Sequence, residues 1–147
     1  MRIKIIAAGR LKSGAPLADL IHEYAKQVKW MVSIVEYPVH TSEKDIAKLL
    51  RTHAPKGSTL IALDEKGKTL TSQQFSQLLD RIRTDQSMDI CFLIGGADGI
   101  PQPIKKQAHH LLSFGACTWP HMMVRLLLTE QLYRAQQILA GHPYHRE

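Results

Sequence analysis

The chain ends in His142-Pro143-Tyr144-His145-Arg146-Glu147, which puts an aromatic plane, an imidazole and a fixed cation at three consecutive positions. Such groups can stack on a planar ring, move a proton near neutral pH and grip an anion. A chain end ordinarily frays and drifts toward small polar residues, so this concentration marks a surface that works on a ligand or partner. Two further stretches have residue types suited to binding. Gly95-Gly96-Ala97-Asp98-Gly99 follows the apolar run Ile90-Cys91-Phe92-Leu93-Ile94. Its glycines permit positive φ and close backbone approach, although the same pattern also makes a plain strand-to-helix turn. Phe114-Gly115-Ala116-Cys117-Thr118-Trp119-Pro120 leads into the last apolar helix. Its small residues leave backbone N–H and C=O groups free for a polar, nearly neutral heterocycle such as adenine.

Several chemistries are excluded. Gly9 and Gly14 have the spacing of P-loop glycines, but Ala15-Pro16 stands where Lys-Ser/Thr is required, so nothing grips the outer phosphates. No Gly-x-Gly-x-x-Gly follows the first strand, which argues against a usual dinucleotide site. Eight histidines and two cysteines show no recognised ligand spacing, so no metal is expected. No Gly-x-Ser-x-Gly or Cys/His signature points to a covalent hydrolase.

The elements that must position these groups follow from periodicity. Arg2 to Ala8, Met31 to Tyr37, Thr59 to Leu63, Ile90 to Ile94 and Leu111 to Phe114 read as strands. Helical stripes lie between them: Leu17 to Val28, a segment capped by Ser42, and one opened by the capping box Thr71/Gln74. A short helix follows Pro101, a long one runs from about His121 to Leu139, and Asp64 to Lys68 reads as a turn. Alternating strands and helices with apolar central strands give an α/β class: a mostly parallel five- to six-stranded sheet, helices on both faces. Ligands of such sheets bind beyond the carboxyl ends of the strands, where Leu63, Gly95 and Phe114 lie.

The 147 residues suit one domain spanning 1–147, with a core that needs no staples. With two cysteines, no signal sequence and no membrane-length apolar run, a cytoplasmic chain with no membrane partner is expected. A formal charge of +6 fits a polyanionic partner, and equally fits ordinary solubility. The last helix is apolar over more than one face, since Met123, Leu126 and Leu132 widen the stripe Val124, Leu127, Leu128, Ala135, Ile138. That excess width is expected to bury against a second copy, the alternative being a helix deeply buried within the monomer.

Four segments together resemble the RlmH family, SPOUT-class methyltransferases of 23S rRNA pseudouridine N3. They are Phe92 to Gly99; Thr118-Trp119-Pro120-His121 with Val124-Arg125; Glu130 to Ala135; and His142 to Arg146. The resemblance spans essentially the whole chain. It implies an α/β sheet whose C-terminal segment forms a trefoil knot, S-adenosylmethionine in the knot loops, and a homodimer packed through the knot helices. The implied cofactor positions are Leu63, Gly95, Gly96, Gly99 and Phe114 through Pro120: Phe114, Gly115, Ala116, Cys117, Thr118, Trp119, Pro120. The implied target lies in a hairpin loop of 23S rRNA on the ribosome, with one subunit's tail over the other's cofactor.

On that footing Tyr144, His145 and Arg146 are the catalytic candidates, and with Arg125 they are also the RNA-binding candidates. His145 would take the N3 imino proton, or only hydrogen-bond the RNA while water takes it. Arg125 and Arg146 would hold phosphate or base carbonyl oxygens. Tyr144 would stack on a base, or cap the chain end over Pro143. Arg134 reads as an i,i+4 partner of Glu130 rather than an RNA contact. Asp98 would face the sulfonium or merely form the turn, and Trp119 is expected to pack the knot. A SPOUT enzyme acting on tRNA, or a non-catalytic ribosome-associated RNA-binding dimer, would share many of these features.

Overall fold

The computed structural model of the chain describes residues 1–85 and 89–146. The strands are β1 (Arg2–Ala8), β2 (Met31–Tyr37), β3 (Thr59–Thr69), β4 (Ile90–Ile94) and β5 (His110–Ser113). The helices are α1 (Pro16–Gln27), α2 (Glu43–His53), α3 (Ser72–Asp85), α4 (Gln102–Gln107) and α5 (His121–Leu139). The sheet has five strands in the order β2-β1-β4-β3-β5, and every pairing is parallel. All strand carboxyl ends therefore lie along one edge.

Both faces of the sheet are covered, which is why β4 is buried at all five positions. On one face α1, α3 and α5 close a core around Ile5, Ile61, Phe92, Leu128 and Leu132. On the other, α2 and α4 cover Ile6, Ala62, Leu93 and Ile104. Local chemistry starts the helices as expected. Ser42 Oγ accepts from the Asp45 N–H, and Thr71 and Gln74 exchange reciprocal side-chain-to-backbone bonds.

One local expectation fails. Asp64 to Lys68 is not a simple turn, because β3 runs on to Thr69. Its register slips: both Leu63 and Lys68 pair with Leu112, so the residues between them bulge out of the ladder. Gly67 makes this possible. A Cβ there would lie 2.7 Å from the backbone of Leu111 and Leu112. Short-range turn signals cannot show such a long-range approach.

Candidate functional site

A cavity of about 670 Å³ opens at the carboxyl edge, between the ends of β3, β4 and β5 and the start of α5. That volume suits a small-molecule or cofactor site. Ten of the eleven positions named from sequence line it; Ala116 does not, and is exposed. The segment between β5 and α5 forms one wall and the glycine loop after β4 another.

Each wall is fixed locally. At Gly95 a Cβ would sit 2.9 Å from the Gly99 carbonyl carbon, so only glycine lets the loop close on itself. The Gly99 N–H donates to the Gly96 carbonyl at 2.9 Å, and Gly99 has φ +75°. Behind the loop, the buried Tyr37 hydroxyl donates to the Ile94 carbonyl at 3.0 Å. Burial pushes the Tyr37 phenol up to about 12, so it remains a donor at all ordinary pH. On the second wall Ser113 Oγ bonds both the carbonyl and the N–H of Gly115. Trp119 Nε1 donates to the Phe114 carbonyl, yet the ring stays 41% exposed and lines the cavity. The ring thus faces the cavity as well as its own segment.

Sequence reading missed groups that shape the electrostatics. The bulge of β3 brings Asp64, Glu65 and Lys66 to the cavity, and α4 brings Lys105. Lys105 pairs with Asp64 at 3.5 Å, and Thr118 Oγ1 donates to Glu65 Oε2 at 3.1 Å. With Asp98, three carboxylates face two lysines, leaving a slightly negative lining. Such a lining disfavours a phosphate-rich ligand and suits a cation. Among the described residues no cluster could hold a metal ion.

Arg125 departs from its expected role. It is 2% exposed, and its guanidinium bonds Glu36 Oε2 at 2.6 Å and the carbonyls of Ala8 and Gly9 at 3.2 Å. A buried arginine so committed cannot offer its head to phosphate or to a base. The correction could not be seen in sequence, because Glu36 lies 89 positions away. Burial pulls the Glu36 carboxyl up, but bonds from Arg125 and the Leu11 N–H, with the charges of Arg125 and Arg10, hold it below the usual 4.5 overall. A depressed carboxylate stabilises the fold above its unfolded pKa, and the contribution is lost as pH falls through the folded value. Melting temperature is accordingly expected to fall as pH drops below about 4.5, and Glu36→Gln should flatten part of that slope. Identical slopes for both proteins would refute this.

The tail docks on the second half of its own α5. Tyr144 OH donates to Glu130 Oε1 at 3.1 Å, and its ring lies edge-on to Tyr133 and under the Arg134 guanidinium at 4.8 Å. Burial and the bond to Glu130 push the Tyr144 phenol up to about 12. Arg134 pairs with Glu130 at 2.6 Å, as its i,i+4 spacing implies. Arg134 NH1 also lies 3.2 Å from His145 Nδ1. Since arginine only donates, Nδ1 must accept, and a neutral His145 then carries its proton on Nε2. Arg146 is exposed. None of Tyr144, His145 and Arg146 lines the cavity of the same chain. Glu147 lies outside the described residues.

The family model described as "Predicted SPOUT methyltransferase" matches residues 1–145. The chain belongs to the SPOUT methyltransferase family. A protein from Rhodospirillum centenum named ribosomal RNA large subunit methyltransferase H is 45% identical over 99% of both chains. One of the same name from Rhizorhabdus wittichii is 44% identical over 100% of this chain and 99% of its own.

Two solved structures share the fold. A putative RNA methyltransferase from Bacillus anthracis superposes with TM-score 0.56 at 9% identity, covering 99% of this chain and 98% of that one. A probable methylase family protein from Haemophilus influenzae Rd KW20 gives 0.57 at 11% identity, covering 95% of this chain and 66% of that one.

The family's methyl donor is S-adenosylmethionine. The cavity fits it. Two backbone walls offer N–H and C=O groups to an adenine, apolar side chains such as Leu63 and Val124 flank them, and the lining favours a sulfonium over phosphates.

Proposed function

We propose that this chain transfers a methyl group from S-adenosylmethionine to N3 of a pseudouridine in 23S rRNA, presented on the large subunit or the assembled ribosome. The carrying observation is the glycine-walled, slightly acidic cavity in a chain akin over its full length to large-subunit rRNA methyltransferases. Bound there, the cofactor supplies an electrophilic methyl group on a sulfonium. Leu63, Gly95, Gly96, Gly99 and the segment from Phe114 to Pro120 hold it, and Trp119 covers the mouth.

The chain's own residues then place the acceptor base. Tyr144, a neutral phenol, supplies a ring face for stacking. Arg146 offers a fixed cation to phosphate or a base carbonyl. His145 in the observed arrangement donates through Nε2, so it orients a carbonyl oxygen. It can take the N3 proton only after leaving Arg134. Positioning supplies much of the rate.

A tail docked away from its own cavity supports a homodimer, in which it meets the partner's cavity. Met123, Leu126, Leu127 and Ile138 of α5 are only partly buried, which supports the same assembly, whereas Leu132, expected on that widened face, is fully buried in the chain's own core. The trefoil knot is part of this proposal. The chain leaves β5 beside β3, yet α5 begins against Gly9 at the end of β1. The segment from Phe114 to Pro120 thus crosses about 14 Å, three strand spacings. Passing beneath the glycine loop would close the knot.

Calorimetric titration tests the site: S-adenosylmethionine should bind, while NAD and ATP should not. Absence of S-adenosylmethionine binding would refute the enzyme reading.

A further inference from the structure

The ion pair Arg125–Glu36 joins a buried guanidinium to a carboxylate that is 32% exposed. Arg125 Nε is buried without a partner. The pair's geometry shows what it does. Glu36 Oε2 accepts at once from Arg125 NH1 at 2.6 Å and from the Leu11 N–H at 2.8 Å. Arg125 also holds the carbonyls of Ala8 and Gly9. Three elements are thereby fastened at one point: the end of β2, the first turns of α5 and the loop after β1.

Gly9 tightens the junction. At φ +91° its backbone lies against α5, where a Cβ would be 2.5 Å from Met122 Cε and 2.9 Å from His121 Nε2. His121 and Val124, from the same helical turn, line the cofactor cavity. The loop after β1 is thus held in fixed register to the site. It lies at the same edge of the sheet, since β1 is the direct neighbour of β4. The fastened loop carries Arg10 and Lys12, both exposed, and turns back through the Ala15 N–H to the Lys12 carbonyl at 3.1 Å.

We infer that the loop Arg10–Gly14 grips the sugar–phosphate backbone of the substrate RNA, and that Glu36 and Arg125 are positioning residues for it. This rests on the RNA methyltransferase reading given above. The cavity lining is itself slightly negative and cannot attract a polyanion, so the chain needs phosphate contacts beside the cavity. Arg10 and Lys12 are cations on a pinned backbone at that edge, and the pinning reduces the ordering cost of each contact. Arg125, named from sequence as an RNA contact, serves the RNA through this loop.

The test is steady-state methyl transfer to ribosomes over a range of salt, with wild type, the double variant Arg10→Ala/Lys12→Ala, and Glu36→Gln. The double variant should raise KM for ribosomes about tenfold and leave kcat and S-adenosylmethionine affinity within about twofold. Its log–log salt slope should be shallower by roughly 1.4 to 1.8, two phosphates' worth. Glu36→Gln should raise the same KM by a few-fold with cofactor affinity unmoved, alongside the modest loss of melting temperature that its depressed carboxyl implies. An active wild type with KM and salt slope unmoved in the double variant would overturn the loop assignment alone. A wild type that binds the cofactor yet transfers no methyl group to rRNA would overturn the functional reading, and this inference with it.

Discussion

Truncation after His142 is expected to reduce methyl transfer by at least ~10³-fold while S-adenosylmethionine affinity stays within about twofold, because positioning and a directed donor carry effects of that size. The two readouts separate because no described residue of the tail lines its own chain's cavity. Removal does cost contacts. Glu130 loses the Tyr144 hydroxyl, and Arg134 loses an aromatic face and His145. The Glu130–Arg134 pair remains, so the protein should stay folded, with a melting temperature lowered by a few degrees. Mixing truncated subunits with subunits defective in the glycine loop should restore part of the activity, since one hybrid site would be intact. Failure of that rescue, with both variants folded and dimeric, would show that the tail does not act across the dimer.

Gly95→Ala is expected to weaken S-adenosylmethionine binding by about 100-fold, on the scale of a backbone displacement of the site's own wall. The new Cβ would lie 2.9 Å from the Gly99 carbonyl carbon, so the loop's main chain must move. Gly96→Ala is the matched contrast. Its Cβ meets Val39 Cγ1 at 2.8 Å, but Val39 is 39% exposed and can turn away, so a loss of only a few-fold is expected. Calorimetry on both variants decides the matter. Equal losses would show that the glycine loop is not the rigid wall described.

The parts of this molecule legible in its sequence are those set by short-range pattern. The apolar run Ile90 to Ile94 read as a doubly covered strand, and the glycines after it as a tight return or a binding loop. Ser42 and the Thr71/Gln74 pair announced their helices through local hydrogen bonds. What escaped depends on contacts far apart in the chain. Arg125 looks like a free cation until Glu36 and the Ala8 and Gly9 carbonyls fold around it. Asp64 to Lys68 has the composition of a turn, and only the approach of Leu111 and Leu112 to Gly67 shows the bulged strand that delivers Glu65 to the cavity. Tyr144 and His145 were legible as chemistry but not as placement, since their docking partners Glu130 and Arg134 lie on the preceding helix. The family pattern supplied what periodicity could not, the methyl donor and the RNA target proposed above.

The most direct measurement is transfer of labelled methyl from S-adenosylmethionine to intact ribosomes, protein-free 23S rRNA and tRNA, with the product nucleoside identified by mass spectrometry. Label is predicted on ribosomes, in 23S rRNA, at N3 of a pseudouridine, with little on free 23S rRNA and none on tRNA. Label on tRNA, or at any other atom of the ribosomal RNA, would contradict the account.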